Sequence, residues 1–152
     1  MIKEIFDEDE KKIISKKVLD DLPEWFGIPE YTENYIIQSS LMPFFAAYEN
    51  EEPIGFISLK ETSPDTAEIY CMGIMKNFQR KNYGKKLFCF FEQYAKSKKY
   101  KLLQVKTVQF GKYDNYDKTN LFYRSLGFYE LEVFPTLWDE WNPCLILVKA
   151  IK

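Results

Sequence analysis

The sequence predicts a mixed α/β single domain in the order β-α-α-β-β-β-α-β-α-β-β, on three observations. Its 152 residues are 46% hydrophobic and 18% aromatic, enough for one core and unlike the composition of a disordered chain. Apolar runs at Phe44 to Tyr48 and Ile54 to Leu59 flank the polar Glu49-Asn50-Glu51-Glu52, the pattern of an antiparallel hairpin. After Gly84 the period changes: Leu87, Phe88, Phe91, Tyr94 and Ala95 recur at helical spacing and share one face.

The elements follow in order. Residues 2–6 form a first strand, and Asp7 offers an N-cap to a helix over 8–21 with apolar positions Ile13, Ile14, Val18, Leu19 and Leu22. Pro23, Gly27 and Pro29 break it, and a second short helix runs from Thr32 to Leu41 before Pro43. The hairpin comes next, and Ala67 to Met75 continues it as a long central strand. The helix after Gly84 packs on the sheet. Leu102 to Val108 is a strand, Lys118 to Leu126 a short helix stopped by Gly127, and Phe128 to Phe134 and Leu145 to Ile151 are closing strands.

Composition excludes several functions. Net charge is −2, so no global positive field exists to hold a nucleic acid or an anionic membrane, and any anion site is local. There is no histidine, which removes His-based triads, metal sites and general bases. Cys71, Cys89 and Cys144 are widely spaced and form no CxxC pair, so neither a disulfide framework nor a zinc site is expected, and no metal is assigned. Without a leader or a long apolar run, the expected location is cytoplasmic. Chemistry therefore falls to Tyr, carboxylate, Cys or backbone groups.

Between the central strand and the long helix lies Gln79-Arg80-Lys81-Asn82-Tyr83-Gly84-Lys85-Lys86. A helix N-terminus exposes unpaired N–H groups and the positive end of its dipole, so a basic strand-loop-helix junction suits a pyrophosphate. Arg80, Lys81 and Lys85 add side-chain charge, Gly84 permits close approach, and Asn82 tolerates a left-handed backbone. The stretch is neither a Walker A sequence nor a GxGxxG fingerprint. From these residues alone, an anion site and an exposed, incidentally basic helix start both stand.

The junction resembles that of the GNAT acetyltransferase superfamily, whose phosphate motif runs Gln/Arg-x-x-Gly-x-Gly/Ala. Gln79 and Gly84 match its ends, and Asn82 stands where the middle glycine is usual. The resemblance covers essentially the whole chain. It implies a GNAT-like domain over 1–152, with a central, mostly antiparallel sheet flanked by helices. It also implies acetyl-coenzyme A as acyl donor, its pyrophosphate held by the backbone from Gln79 to Gly84. By the same resemblance the pantetheine arm lies on Met72, Gly73 and Ile74, whose N–H groups polarise the thioester.

A second match is Phe122-Tyr123-Arg124-Ser125-Leu126-Gly127-Phe128, similar to the family's (F/Y)-Y-x-x-x-G-F. The resemblance makes Tyr123 the general acid that protonates the departing thiolate; read without it, Tyr123 is a core aromatic on the stripe of Thr119, Phe122 and Leu126. Thr119 replaces a frequent alanine among the coenzyme-contacting positions. Tyr116 stands where the family often has a coenzyme-binding asparagine, and Asn120 is out of register. Glu68, in an Ala-Glu-Ile setting similar to the family's histone-acetylating branch, is the candidate general base; a solvated or paired glutamate is the alternative. Strict alternation sets Glu68 on one face with Tyr70, Met72 and Ile74, and Cys71 on the other.

In this family the acceptor usually meets the connection between the first two helices and the last hairpin. Here the first carries Asp20, Asp21, Trp25, Phe26, Glu30 and Tyr31, and the second Trp138-Asp139-Glu140-Trp141. Trp25, Phe26, Tyr31 and Trp138 are the expected acceptor contacts, by charge and cation-π attraction for an amine; closing the core is the alternative for these aromatics. The expected activity is direct acetyl transfer to a small-molecule, peptide or protein amine, and a homodimer is allowed. A coenzyme A-binding sensor or interaction module without catalysis is the competing class.

Overall fold

Asp7 caps the first helix as expected: its carboxylate accepts from the Glu10 N–H at 2.8 Å, and Glu8, Asp9 and Glu10 load the first turn with charge that suits the helix dipole. The chain runs β1 (Ile2–Ile5), α1 (Glu8–Asp20), α2 (Pro29–Ser39), β2 (Phe44–Glu49), β3 (Glu52–Ser63) and β4 (Thr66–Ile74). A 3₁₀ turn over Lys76–Phe78 leads to α3 (Tyr83–Ser97), then β5 (Leu102–Val108), α4 (Asp114–Ser125), β6 (Tyr129–Asp139) and β7 (Asn142–Ala150). This computed structural model describes residues 1–139 and 141–152; Glu140, in the predicted aromatic turn, lies outside the described residues.

The order is the predicted one, with shifted ends. Pro29 starts α2 instead of breaking the chain, because a proline at the first helical position lacks only an N–H that has no partner there. The fourth helix begins at Asp114, earlier than Lys118, with Asp114 and Asp117 in its first turn. Gly127, at φ +102°, ends it in a Schellman turn: Gly127 N–H donates to Arg124 O at 3.0 Å and Phe128 N–H to Tyr123 O at 3.2 Å.

The seven strands form one sheet in the order β1-β2-β3-β4-β5-β7-β6, antiparallel except between β4 and β5. Each face carries its own core. On one, Phe45, Ile57, Leu59, Ile69 and Leu103 pack with Leu87, Phe88 and Phe91 of α3 and with Tyr123 of α4. On the other, Phe44, Ala46, Phe56 and Cys71 pack with Ile14, Val18 and Leu19 of α1. Burying each such large apolar side chain contributes about 1.5–3 kcal/mol, so both helical layers are firmly seated. Among the described residues no helix is long and apolar enough to cross a membrane.

Two irregularities shape the centre. The parallel pair β4–β5 is in register only from Thr66–Leu102 to Ile69–Val105; beyond it β4 stays with β3 and β5 with β7, and the sheet splits. Within β4, Cys71 pairs with Ser58 but Ile69 pairs with Leu59, so Tyr70 has no counterpart on β3. This is a β-bulge, and it reverses the direction of every later side chain.

Candidate functional site

The loop after β4 is built to leave its amides open. Arg80 and Asn82 both adopt left-handed angles, at φ 61° and 68°, and alternate with Gln79 in extended geometry and Tyr83 in helix. Left-handed Asn82 followed by helical Tyr83 is the paired geometry whose successive N–H groups form an anion-binding concavity. From Arg80 to Lys85 no N–H donates to an acceptor among the described residues; the first bond is Lys86 N–H to Asn82 O at 3.0 Å. The side chain of Gln79 points back, donating to Ile74 O at 2.9 Å and tying the loop to the end of β4.

Gly84 sits where this loop meets the split. A Cβ there would lie 3.1 Å from the ring of Phe122 and 3.6 Å from the Met72 side chain, so the absence of a side chain lets the start of α3 approach both α4 and β4. Beyond Ile69, the β4 edge facing β5 has no strand beside it among the described residues, while Met72, Gly73 and Ile74 stay paired with β3 on the other edge. Open amides, a close glycine and an unpaired strand edge therefore adjoin. Gly73 itself is closed on one side: its Cβ would meet Val18 of α1 and Leu22 just after that helix, each at 3.0 Å, so packing against them accounts for this glycine, and the bulge falls earlier, at Tyr70.

The bulge corrects the alternation expected for β4. Met72 and Ile74 pack with the α3 and α4 core, whereas Tyr70 and Cys71 pack with the α1 and α2 core. Glu68, paired across the ladder with Lys60 and Gln104, precedes the extra residue and shares the side of Tyr70 and Cys71, not that of Met72 and Ile74. It is only 3% exposed. Gln104 Nε2 donates to its Oε1 at 3.1 Å, and Lys106 Nζ lies 3.3 Å from the same oxygen.

Tyr123 is buried on α4 between Phe122 and Phe128, at ring distances of 5.7 and 6.0 Å. Its phenol is pushed well above the ordinary tyrosine range, first by burial and then by Cys71 and Tyr116. The ring thus belongs to one core while its phenol is influenced by Cys71, a member of the other. Burial likewise pushes the Cys71 thiol up, which disfavours the thiolate that a covalent relay needs.

Around these groups the chain assembles an aromatic wall. Tyr35 of α2 contacts Phe26 edge-on at 5.7 Å and Tyr70 at 5.4 Å. Burial raises its phenol strongly, with Cys71, Tyr70, Tyr116 and Glu68 adding to the effect. Trp25 is half-buried in the same cluster. The Tyr116 hydroxyl donates to Trp25 O at 3.3 Å and Asn115 Nδ2 to Glu24 O at 3.2 Å, so α4 is laced to the connection between α1 and α2. Tyr116 thus spends its hydroxyl on the protein, and Thr119 spends its own on Asn115 O at 3.1 Å.

Other expected contacts stay apart. Tyr31 is 64% exposed on α2 rather than in the connection, and Trp138 is exposed near the end of β6. The acids of the connection serve the fold: Asp20 pairs with Lys16 at 2.8 Å, Asp21 accepts from Lys76 N–H at 2.7 Å, and Glu24 pairs with the Lys76 ammonium. Asp139 organises the last turn by accepting from the N–H groups of Trp141 and Asn142. Sequence reasoning missed Tyr35, Tyr70, Gln104 and Lys106, which no local motif marks.

A model of the acetyltransferase (GNAT) family matches residues 3–128. In three dimensions the chain is similar to a GNAT-family protein from Desulfovibrio desulfuricans, at 14% identity and TM-score 0.82, over 100% of this chain and 99% of that one. It is also similar to an aminoglycoside 6'-N-acetyltransferase complexed with coenzyme A, at 18% identity and TM-score 0.74, over 100% and 97%. A third likeness is the aminoglycoside 6'-N-acetyltransferase from Enterococcus faecium, at 17% identity and TM-score 0.74, again over 100% and 97%. At these identities the likeness concerns the fold. Among curated proteins, none matches the sequence.

Proposed function

This chain belongs to the GNAT acetyltransferase family, and from that premise we propose that it transfers the acetyl group of acetyl-coenzyme A to a primary amine of a small cationic acceptor. The observation that carries the donor half is the run of free N–H groups from Arg80 to Lys85 at the start of α3, a receptor for a diphosphate. The unpaired β4 edge from Met72 to Ile74 then takes the pantetheine arm, and the split leads the thioester towards Tyr123.

In this reading the amine nitrogen attacks the thioester carbonyl directly. The carbon-nitrogen bond forms, the carbon-sulfur bond breaks, and the sulfur takes the proton of the Tyr123 phenol, which burial keeps protonated at neutral pH. Glu68 accepts the proton that the amine loses. Acceptor recognition falls to Trp25, Phe26, Tyr35 and Tyr70, whose ring faces attract an ammonium group. Support for a small acceptor is the likeness to two aminoglycoside N-acetyltransferases.

The test is thiol release from acetyl-coenzyme A against a panel of aminoglycosides, polyamines and amino acid amides. Release with at least one cationic amine is the expected result. Tight coenzyme A binding with no release across the panel refutes catalysis and supports a coenzyme-binding module in its place.

A further inference from the structure

The apex of the split is held by charge. Ile69 and Val105 are the last paired residues of β4 and β5; Glu68 lies just before that point on one strand and Lys106 just after it on the other. The Glu68 carboxylate is almost sealed, yet both of its partners, Gln104 Nε2 and Lys106 Nζ, meet the same oxygen, Oε1. Oε2 has no protein partner among the described residues. Lys60 is Glu68's neighbour on β3, but its ammonium stands 5.7 Å over the Tyr70 ring.

A buried carboxylate needs a countercharge, because leaving one unpaired costs several kcal/mol. A pair serving the fold alone gains most by engaging both oxygens. Here one oxygen is clasped and the other left over, on the side of the sheet where Tyr35 and Tyr70 form the aromatic wall. We propose that Lys106 and Gln104 grip Glu68 through Oε1 so that Oε2 stays unpartnered and free to take the acceptor's proton. Lys106 is then a positioning residue that acts only through Glu68. The proton moves from the attacking nitrogen to Oε2, and the neutral acid returns it to water after the product leaves. This inference rests on the base role given to Glu68 above.

The experiment is a double-mutant cycle on thiol release, with the best acceptor of the panel and saturating acetyl-coenzyme A. Glu68→Gln lowers kcat about 100-fold, within the range of general-base contributions. Lys106→Met lowers it about tenfold or more, Lys106→Arg restores most of the loss, and coenzyme affinity is unchanged in all three. In the Glu68→Gln background, Lys106→Met adds nothing, because coupled residues are not additive. An unchanged kcat in Lys106→Met, or the same loss with and without Glu68, overturns the inference and leaves acetyl transfer standing. Failure of Glu68→Gln to slow turnover overturns the base role and the inference together. Absence of release by the unmodified protein refutes the acetyl-transfer reading itself.

Discussion

The proposed donor and acceptor sides of the split sheet are built from different materials. From Arg80 to Lys85 the working groups are main-chain amides, left open by two left-handed residues and a helix start. Across the sheet, Glu68, Tyr35, Tyr70 and Tyr116 present side chains, each engaged with a neighbour from another element. A surface made of backbone tolerates the loss of side chains and suffers from changes in backbone angle. A surface made of side chains behaves in the opposite way, and substitutions separate the two.

The largest effect expected is at Tyr123, where the sides meet. Tyr123→Phe keeps the ring and its packing but removes the acidic proton, so kcat falls about 100-fold while coenzyme A affinity, measured by calorimetry, stays within twofold. Equal turnover by the variant excludes the phenol as the acid. At Asn82 the comparison sharpens. Asn82→Gly retains coenzyme affinity, whereas Asn82→Val, β-branched at φ 68°, costs about 1–2 kcal/mol and weakens binding about tenfold. Equal affinity in the two variants would mean that side-chain chemistry, not backbone shape, holds the diphosphate.

The smallest effect is one of pH. Burial raises the phenols of Tyr35 and Tyr123 far above the usual value of about 10 that they recover on unfolding. Below that value both states keep the proton and the two tyrosines do not make stability depend on pH. Above it the unfolded chain releases protons that the folded chain retains, so stability falls. Tyrosinate absorbance is therefore expected to rise in two stages, exposed tyrosines first and these two only as the circular dichroism of the fold is lost. Full ionisation of every tyrosine with the fold intact would contradict their burial.

Much of the loop before α3 was legible because its geometry is local. Gly84 owes its place to Phe122 and Met72 on other elements, whereas Asn82 and the change of period lie close together in the chain and act through backbone angles or neighbours in one helix. Gly127 was legible as a helix stop for the same reason, with its positive φ meeting a need inside one turn. Pro29 was misread, since a proline that ends one segment can equally begin the next. The aromatic and charged cluster across the sheet was largely hidden. Tyr35, Tyr70, Lys106 and Tyr116 come from four elements, and their meeting depends on a parallel strand pair and a bulge that no short pattern announces.

The unpaired Tyr70 makes parity the hidden variable of the fourth strand. The bulge absorbs one supernumerary residue, so Glu68 and Cys71 face one wall and Met72 with Ile74 the other, on two sides of a single ribbon. Deleting that residue would close the bulge into a regular ladder, with Ile69 and Cys71 facing Leu59 and Ser58 in succession, the thiol still beneath the first helix and Met72 still against the third.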